Sequence, residues 1–307
     1  MATWFVTGIS RGLGWAVAQD RLSHGDTVIG TVRQITPALE QWSLQQPQLH
    51  LVQADLSRPE SAEAAARQAL ALAPRIDVLV NNAGYGLLGA LETATDEAML
   101  RLFEVDVFAP VRLIRAFLPR LRAQGHGHIL NVTSIAGRAP GTGSALYSAA
   151  KAAMEGLSAA LALEVAPLGI KVTAVAPGAF RTDFLSGHSI RHSATEDPAY
   201  AASIGASQAA FRTMHGRQLG DPVAAARSWP PVLPEDHPPF HFLRVPVPFR
   251  RPPPRGAAAP PAWGAWAPAT PAPTFATWLC PVLAPSLRSF PRLSSSGVWP
   301  PGAWALS

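Results

Sequence analysis

The fold of this chain is decided by the stretch Thr3-Trp-Phe-Val-Thr7-Gly8-Ile-Ser10-Arg11-Gly12-Leu13-Gly14. The apolar run over 2–6 predicts a short buried strand, and an amphipathic helix is expected from the glycines to about His24. Glycines in such a turn permit positive φ angles and close backbone approach, so the first helix amides can hold a pyrophosphate. The phosphate-binding residues are therefore expected to be Thr7, Gly8, Ser10, Arg11, Gly12, Leu13 and Gly14.

The rest of the first 228 residues alternates strand-like and helix-like stretches. Further strands are predicted over 27–32, 50–54, 76–80, 129–133 and 170–175, and helices over 59–73, 95–123 and 145–165. We expect Pro110 to kink the long second of these helices. The alternation predicts an α/β fold, a single-domain Rossmann-like doubly wound parallel sheet between two layers of helices.

Residues after the second, third and fourth strands are candidates for the adenosine site. The second strand ends at Arg33, where an acidic residue would ordinarily hold the ribose hydroxyls. With Arg11, Arg33 could meet a 2′-phosphate, which favours NADP(H) over NAD(H); the alternative is a solvated loop charge. Asp55, followed by Leu56, could cap the next helix or hydrogen-bond the adenine. Small residues at the next strand end, the run Asn82, Ala83 and Gly84, suit a floor beneath a flat ligand.

Three side chains could serve carbonyl or alcohol chemistry. Tyr147 and Lys151 are four residues apart, so on a helix an ammonium group lies beside a phenol and favours its ionised form. Ser134 follows a buried strand that should deliver it to the same site. Taken alone, the pattern favours the simpler interpretation, a surface Tyr-Lys pair and a serine in a turn.

In combination, these motifs resemble those of the short-chain dehydrogenase/reductase family. The motifs are Thr7-Gly-xxx-Gly12-x-Gly14, Asn81-Asn-Ala-Gly84, Ser134, Tyr147-xxx-Lys151 and Pro177-Gly178-xxx-Thr182. The match covers residues 2–228 and extends to the strand-like stretch 239–245. The resemblance implies an oxidoreductase, usually a homodimer or homotetramer.

By the same resemblance, each catalytic residue has an expected role. Tyr147 is the acid/base, Ser134 holds the substrate oxygen, and Lys151 binds the nicotinamide ribose and lowers the pKa of Tyr147. Pro177 and Gly178 belong to the cofactor site, and Phe180 and Thr182 contact its nicotinamide end.

One position departs from the family pattern. The long helix commonly carries an Asn that supports a water relay to the lysine, and this chain has Asp106 there. An ionised carboxylate accepts hydrogen bonds but cannot donate them as an amide does. We count Asp106 with the candidate catalytic residues, and our hypothesis is that it pairs with Lys151 and weakens or shifts the pH dependence of catalysis.

A segment over about 183–220, inserted beyond the sixth strand, is expected to act as a substrate lid. Its apolar residues favour an apolar carbonyl or alcohol as the small-molecule substrate. His188 and His192 are four residues apart, but no third ligand is in view, so we predict no metal site.

The C-terminal part has a different composition. Residues 229–307 hold six Arg and two acids, and most of the prolines and tryptophans. We predict a domain over 1–228 and a Pro/Ala/Trp-rich irregular tail over 246–307. The tail is interpreted as the product of a shifted reading frame, as a natural disordered extension, or as a ligand for proline-reading domains.

Composition also bounds the class of protein. The pI of about 10.1 comes from the tail and not from a patterned basic face, so nucleic-acid binding is not expected. A single cysteine fits a reducing compartment, and the N-terminus has no secretory signal pattern, so we expect a cytoplasmic protein. The charge-free run 256–287 carries seven prolines, which argues against a membrane span.

Two other functions compete with the oxidoreductase. A non-catalytic dinucleotide-binding sensor or scaffold is disfavoured by the presence of Ser134, Tyr147 and Lys151, and favoured by Asp106 and the tail. A sugar-nucleotide epimerase would use the same chemistry, but the short C-terminal substrate region and the glycine spacing argue against it.

Overall fold

A central parallel sheet organises the part of the chain that the computed structural model describes, residues 1–187, 189–193, 197–227 and 241–244. Its strands are β1 (Thr3–Thr7), β2 (Thr27–Val32), β3 (Leu49–Gln53), β4 (Val78–Asn81), β6 (Gly127–Val132), β7 (Ile170–Pro177) and β9 (His241–Arg244). Their order in the sheet is β3-β2-β1-β4-β6-β7-β9, and every neighbouring pair is parallel. A separate two-stranded parallel sheet joins β5 (Gly86–Leu88) to β8 (Ile190–His192).

Helices cover both faces of the large sheet. They are α1 (Gly12–Ser23), α2 (Pro37–Leu44), α3 (Pro59–Leu72), α4 (Asp96–Phe103), α5 (Ala109–Gln124), α6 (Ala145–Val165), α7 (Ala206–Met214) and α8 (Pro222–Arg227). Alternate strand residues enter different cores: Phe5 packs with residues of α3 and α5, whereas Trp4 and Val6 pack with residues of α1. Successive strand residues point to opposite faces, so the predicted doubly wound sheet between two helix layers is confirmed.

The long helix predicted over 95–123 is interrupted by a π-helical segment, Glu104–Phe108. Pro110 lies in the first turn of α5, just after this segment. Because Pro110 has no N–H, it cannot donate to the carbonyl four residues earlier, that of Asp106, and the wider turn accommodates this gap. The break in the helix is therefore centred on Asp106.

The lid segment contains elements that the sequence pattern did not predict. A 3-10 turn (Pro198–Tyr200), a π-helical segment (Ala201–Gly205) and α7 follow one another in this segment. The strand β8 pairs with β5 and so attaches the lid to the loop that follows β4. Strands of three residues are too short to show an alternating pattern, which explains why sequence reasoning missed both.

Some predictions fall outside the described residues, namely His188 and the tail over 246–307. The domain boundary at residue 228 stays a prediction, and the strand β9 lies within the stretch 239–245. Within the described ranges, no helix has the length and apolar character needed to cross a membrane.

A buried histidine makes the stability of the domain depend on pH. His128 in β6 is 4% exposed, its Nε2 lies 2.9 Å from Thr173 Oγ1, and burial together with the charge of Lys171 lowers its pKa from 6.5 to about 4. Between pH 6.5 and about 4, His128 is protonated in the unfolded chain but neutral in the folded chain. The free energy of unfolding therefore decreases as the pH falls over this range. We expect His128 to contribute a loss of about 2 to 3 kcal/mol over this range.

Denaturant unfolding at several pH values measures this loss. His128→Gln should flatten the dependence, and the exposed control His215→Gln should retain it. An unchanged slope in His128→Gln would refute the assignment.

Candidate active site

The glycine turn is tied to the carboxyl end of β4. The Asn82 side chain donates to the carbonyls of Thr7 (2.8 Å) and Gly8 (3.2 Å). The backbone amides of Asn82 and Ala83 both donate to Thr7 Oγ1, each over 2.9 Å. Two of the predicted motifs therefore form one hydrogen-bonded unit at the edge where ligands bind to open α/β sheets.

Three glycines keep the turn open. Gly8 and Gly12 have φ angles of 73° and 64°, which other residues rarely adopt. At Gly14, a Cβ atom would lie 2.3 Å from the Gly8 carbonyl oxygen and 2.4 Å from the Asn82 side-chain nitrogen. At Gly12, it would lie 3.7 Å from Thr182, so the turn adjoins the segment that follows β7.

The start of α1 fits a dinucleotide pyrophosphate. Among the residues described, no side chain caps this helix and its first turn contains no acid. Its first amides and the positive end of the helix dipole are thus available to an anion. The Arg11 guanidinium donates to Ser189 Oγ over 3.4 Å, so it spans the distance from the turn to the lid.

Two Gly→Ala changes, one in the glycine turn and one in α6, should have opposite effects on the stability of the domain. Gly14→Ala should destabilise the domain by about 1 to 3 kcal/mol through the forced contact and weaken NADPH binding. Gly156→Ala lies in α6, where nothing is within 4 Å of the added carbon, and should stabilise the domain by about 0.5 to 1 kcal/mol. Denaturant unfolding and NADPH titration of the two variants test this; equal stabilities would contradict it.

The adenosine end lies at β2 and β3. Arg33 is exposed just after β2, and the Asp55 carboxylate, just after β3, accepts from the Ser57 amide and hydroxyl. Burial acts to raise the pKa of Asp55, but these hydrogen bonds, followed by the charges of Arg101 and Arg33, outweigh it and lower that pKa. Leu56, next to Asp55, is buried.

Ser134 and Tyr147 are delivered by β6 and α6. Ser134 directly precedes a 3-10 turn, Ile135–Gly137, and its Oγ accepts from the Ala136 amide over 3.1 Å. Its side chain is also near enough to the phenol of Tyr147, which is 8% exposed, to act on the pKa of that group. The ring of Phe184, from the lid segment, has its centroid 6.0 Å from that of Tyr147.

Lys151 lies one helical turn after Tyr147 and points into the protein. Its Nζ donates to the Val132 carbonyl over 3.1 Å and lies 3.1 Å from Asp106 Oδ2. The same nitrogen is 5.8 Å from the centroid of the Tyr147 ring. The pairing of Asp106 with Lys151 that we hypothesised from sequence is present.

The carboxylate of Asp106 is buried and lies against the loop that follows β4. The π-helical segment directs it inward, where it is 2% exposed, and its Oδ1 accepts from the Tyr85 amide over 3.1 Å. A Cβ atom at Gly84 would lie 3.0 Å from Asp106 Oδ2, so the glycine leaves room for the carboxylate. The loop after β4 therefore contributes both a backbone donor and space.

Burial dominates the electrostatics of this cluster. It raises the pKa of Tyr147, and Asp106 adds to that rise, while Lys151 and the Ser134 hydrogen bond act in the opposite direction without overcoming it. Burial also raises the pKa of Asp106 against the effect of Lys151. For Lys151, burial lowers the pKa, but Asp106 and Tyr147 outweigh it and raise the pKa, so the ammonium persists at neutral pH.

The remaining predicted residues lie along the same edge of the sheet. Pro177 ends β7, and Gly178, Phe180 and Thr182 follow it, with the Phe180 backbone bridged to Gly220. Ser10 is exposed and Leu13 half-buried within the glycine turn and the start of α1. Arg33 and Asp55 lie with β2 and β3, away from the cluster at β6 and α6.

Three residues near the site were not predicted from the sequence: Tyr85, Arg101 and Arg191. Tyr85 provides the amide that holds Asp106, and the Arg191 guanidinium lies 5.3 Å from the centroid of its ring. Arg101 acts electrostatically on both Asp55 and Tyr85. The aromatic residue directly after Gly84 was the only available signal, since both arginines reach the site through tertiary structure.

Comparison with known proteins gives consistent matches. The family model described as short chain dehydrogenase matches residues 2–192. Oxidoreductase BOA17 of Botryotinia fuckeliana is 36% identical over 243 residues, which are 78% of this chain and 87% of that protein.

Solved structures give matches of the same kind. The crystal structure of a short-chain dehydrogenase from Streptomyces avermitilis aligns with a TM-score of 0.73 at 40% identity, over 80% of this chain and 89% of the other. A short-chain dehydrogenase from Sphingobium yanoikuyae in complex with NADPH aligns with a TM-score of 0.62 at 29% identity, over 74% and 82%.

Proposed function

This chain belongs to the short-chain dehydrogenase/reductase family, and from that premise we propose that it transfers a hydride between NADP(H) and a carbonyl or alcohol substrate. The observation that carries the proposal is the convergence of Ser134, Tyr147 and Lys151 at the sheet edge that also holds the glycine turn. A hydrogen-bond donor, a phenol and a buried cation are the groups that carbonyl reduction requires.

In the reductive direction, Tyr147 donates its proton to the carbonyl oxygen as that oxygen gains negative charge. Ser134 donates a hydrogen bond to the same oxygen and so stabilises the developing charge. When bound, NADPH supplies the hydride to the carbonyl carbon. Lys151, fixed by Val132 and Asp106, holds a positive charge near the phenol, and the phenolate left behind regains a proton from solvent.

The preference for NADP(H) rests on Arg33 and Arg11. Arg33 is exposed at the end of β2, at the expected position of a 2′-phosphate, whereas the Arg11 guanidinium contacts Ser189 of the lid and would have to leave that contact to reach the phosphate. The relative from Sphingobium yanoikuyae, whose structure contains NADPH, supports this choice.

Removal of Arg33 should change the cofactor preference. We expect Arg33→Ala to weaken NADPH binding by about 10- to 100-fold, since a hydrogen bond to a charged group contributes about 1.5 to 3 kcal/mol. NADH lacks the 2′-phosphate, so its affinity should stay the same. Titration of both cofactors measures the effect, and Arg115→Ala, an exposed arginine on α5, is the control. A parallel loss for both cofactors would contradict the 2′-phosphate assignment.

The expected substrate is an apolar carbonyl or alcohol. Tyr147 belongs to an apolar cluster with Leu87, Met154 and Phe184, from β5, α6 and the lid segment. These apolar side chains would shape one wall of the substrate pocket and exclude water from it, while Ser134 and Tyr147 would orient the reacting oxygen. The cytoplasmic location and the homodimer or homotetramer stay predictions.

Transfer of deuterium tests the reaction itself. The full chain is incubated with NADPH deuterated at the transferred position and a panel of apolar aldehydes and ketones, and the alcohols are analysed by mass spectrometry. We expect deuterium on the former carbonyl carbon. A chain that binds NADPH yet labels no product across the panel would favour the alternative, a non-catalytic dinucleotide-binding sensor or scaffold.

A further inference from the structure

The buried carboxylate of Asp106 changes the charge that Tyr147 experiences. The Lys151 ammonium has an acidic partner 3.1 Å away, and both side chains are nearly inaccessible to solvent, with 6% and 0% exposure. A neutral amide at this position would leave Lys151 as an unbalanced cation. With Asp106, the ammonium and the carboxylate together carry no net charge.

The arrangement is fixed by the backbone and not by flexible contacts. The Tyr85 amide holds Oδ1, the Val132 carbonyl holds Lys151 Nζ, and the π-helical segment directs Asp106 inward. Lys151 Nζ is thus kept 5.8 Å from the centre of the Tyr147 ring, with the Val132 carbonyl and the Asp106 carboxylate each 3.1 Å away.

We propose that Asp106 is a positioning residue that offsets part of the charge of Lys151 at Tyr147, so that the phenol keeps its proton to a higher pH than it would beside an unpaired lysine. The inference rests on the proposed function and specifies how that site is regulated by pH. Reduction requires a protonated phenol, whereas alcohol oxidation requires a phenolate. Reduction should therefore proceed at neutral pH, and oxidation should need alkaline conditions.

The other groups around Tyr147 do not reverse this effect. Burial is the largest influence on the pKa of Tyr147 and raises it; Lys151 and then Ser134 act to lower it, Asp106, the smallest of the four, acts to raise it, and the pKa is raised on balance. The charged or titratable side chains that face the phenol or its immediate neighbours are Lys151 on α6, Asp106 in the π-helical segment, Tyr85 after β4, Arg101 on α4 and Arg191 on β8.

The small number of tyrosines makes the phenol directly observable. The chain has three, Tyr85, Tyr147 and Tyr200, so the full chain carrying Tyr85→Phe and Tyr200→Phe retains Tyr147 alone. Its ionisation is followed by the near-ultraviolet absorbance of tyrosinate as pH is raised, while circular dichroism verifies that the chain stays folded. This titration requires no substrate, so it tests the role of Asp106 even if the chain proves to have no reductase activity.

In this background, Asp106→Asn should lower the midpoint of the Tyr147 titration, since it leaves Lys151 unbalanced. Asp106→Ser gives a second neutral side chain should the first variant not fold. Asp77→Asn is the matched control: Asp77 is a buried carboxylate paired with Arg75 at the opposite end of β4, and its removal should leave the midpoint unchanged.

Catalysis provides the second readout. In the otherwise unmodified chain, Asp106→Asn should move the alkaline limit of reduction, and the acidic limit of oxidation, to lower pH by the same amount. A Tyr147 midpoint that is equal in the parent and in both Asp106 variants would overturn the proposal. Absence of turnover with a shifted midpoint would contradict the proposed function and leave this inference standing.

Discussion

Replacement of Tyr147 by Phe should lower kcat for carbonyl reduction by about 10²- to 10⁴-fold, the contribution typical of a positioned general acid. The variant loses one oxygen atom from a side chain whose ring still packs against Phe184. NADPH binding and stability should therefore change little. Steady-state kinetics with any carbonyl that the parent reduces, together with NADPH titration, separate the two effects.

Tyr200→Phe is the matched control for this prediction. Tyr200 lies in the lid, where its hydroxyl donates to Glu92 over 2.6 Å, away from the cluster on α6. Its loss should leave kcat within a few-fold of the parent value. If Tyr147→Phe retained the parent rate, Tyr147 would not be the acid, and the reaction would require a different proton donor.

Replacement of Lys151 by Met should destabilise the domain by about 3 to 5 kcal/mol at neutral pH, because it leaves a buried carboxylate without its cation. Asp106 is 2% exposed, and only the Tyr85 amide would remain as a close partner among the contacts described. The same change should abolish most of the activity, since Lys151 is the expected ligand of the nicotinamide ribose.

The pH dependence of that variant has a definite sign. Burial already raises the pKa of Asp106, and loss of Lys151 removes the main influence that lowers it. The folded pKa then lies above the unfolded one, so the lost stability should return at acidic pH and disappear again as pH rises through the raised pKa.

A second substitution tests the coupling between the two residues. Adding Asp106→Asn to Lys151→Met should restore much of the stability at neutral pH and remove this pH dependence, since no buried charge remains. Denaturant unfolding of the parent, both single variants and the double variant gives the coupling energy. Simple additivity of the two losses would contradict a buried ion pair.

Much of the fold could be predicted because it depends on local pattern. The glycine turn occurs between an apolar run and an amphipathic stretch, and the α6 range 145–165 carries a continuous helical pattern. Tyr147 and Lys151 share one helix, so their juxtaposition follows from spacing alone. Ser134 could be assigned to the same site because parallel strands end at one edge of the sheet.

The remaining features depend on contacts that are distant in sequence. The π-helical turn at Asp106 requires the missing N–H of Pro110 together with the space that Gly84 leaves, and neither produces a periodic signal. The pairing of β5 with β8 places Arg191 over Tyr85 although the two residues lie 106 positions apart in the sequence. Sequence reasoning correctly paired Asp106 with Lys151, but it could not show that burial outweighs Lys151 at Tyr147.

The central claim is that the glycine turn, together with Arg11 and Arg33, binds NADP(H). A fluorescence titration of the purified full-length chain with NADPH and, separately, with NADH tests this claim most directly. We expect saturable binding of both cofactors, with NADPH bound at least about 10-fold more tightly because of its 2′-phosphate. A folded chain that binds neither cofactor would contradict the account. Equal binding of the two would retain the dinucleotide site and refute the roles of Arg11 and Arg33.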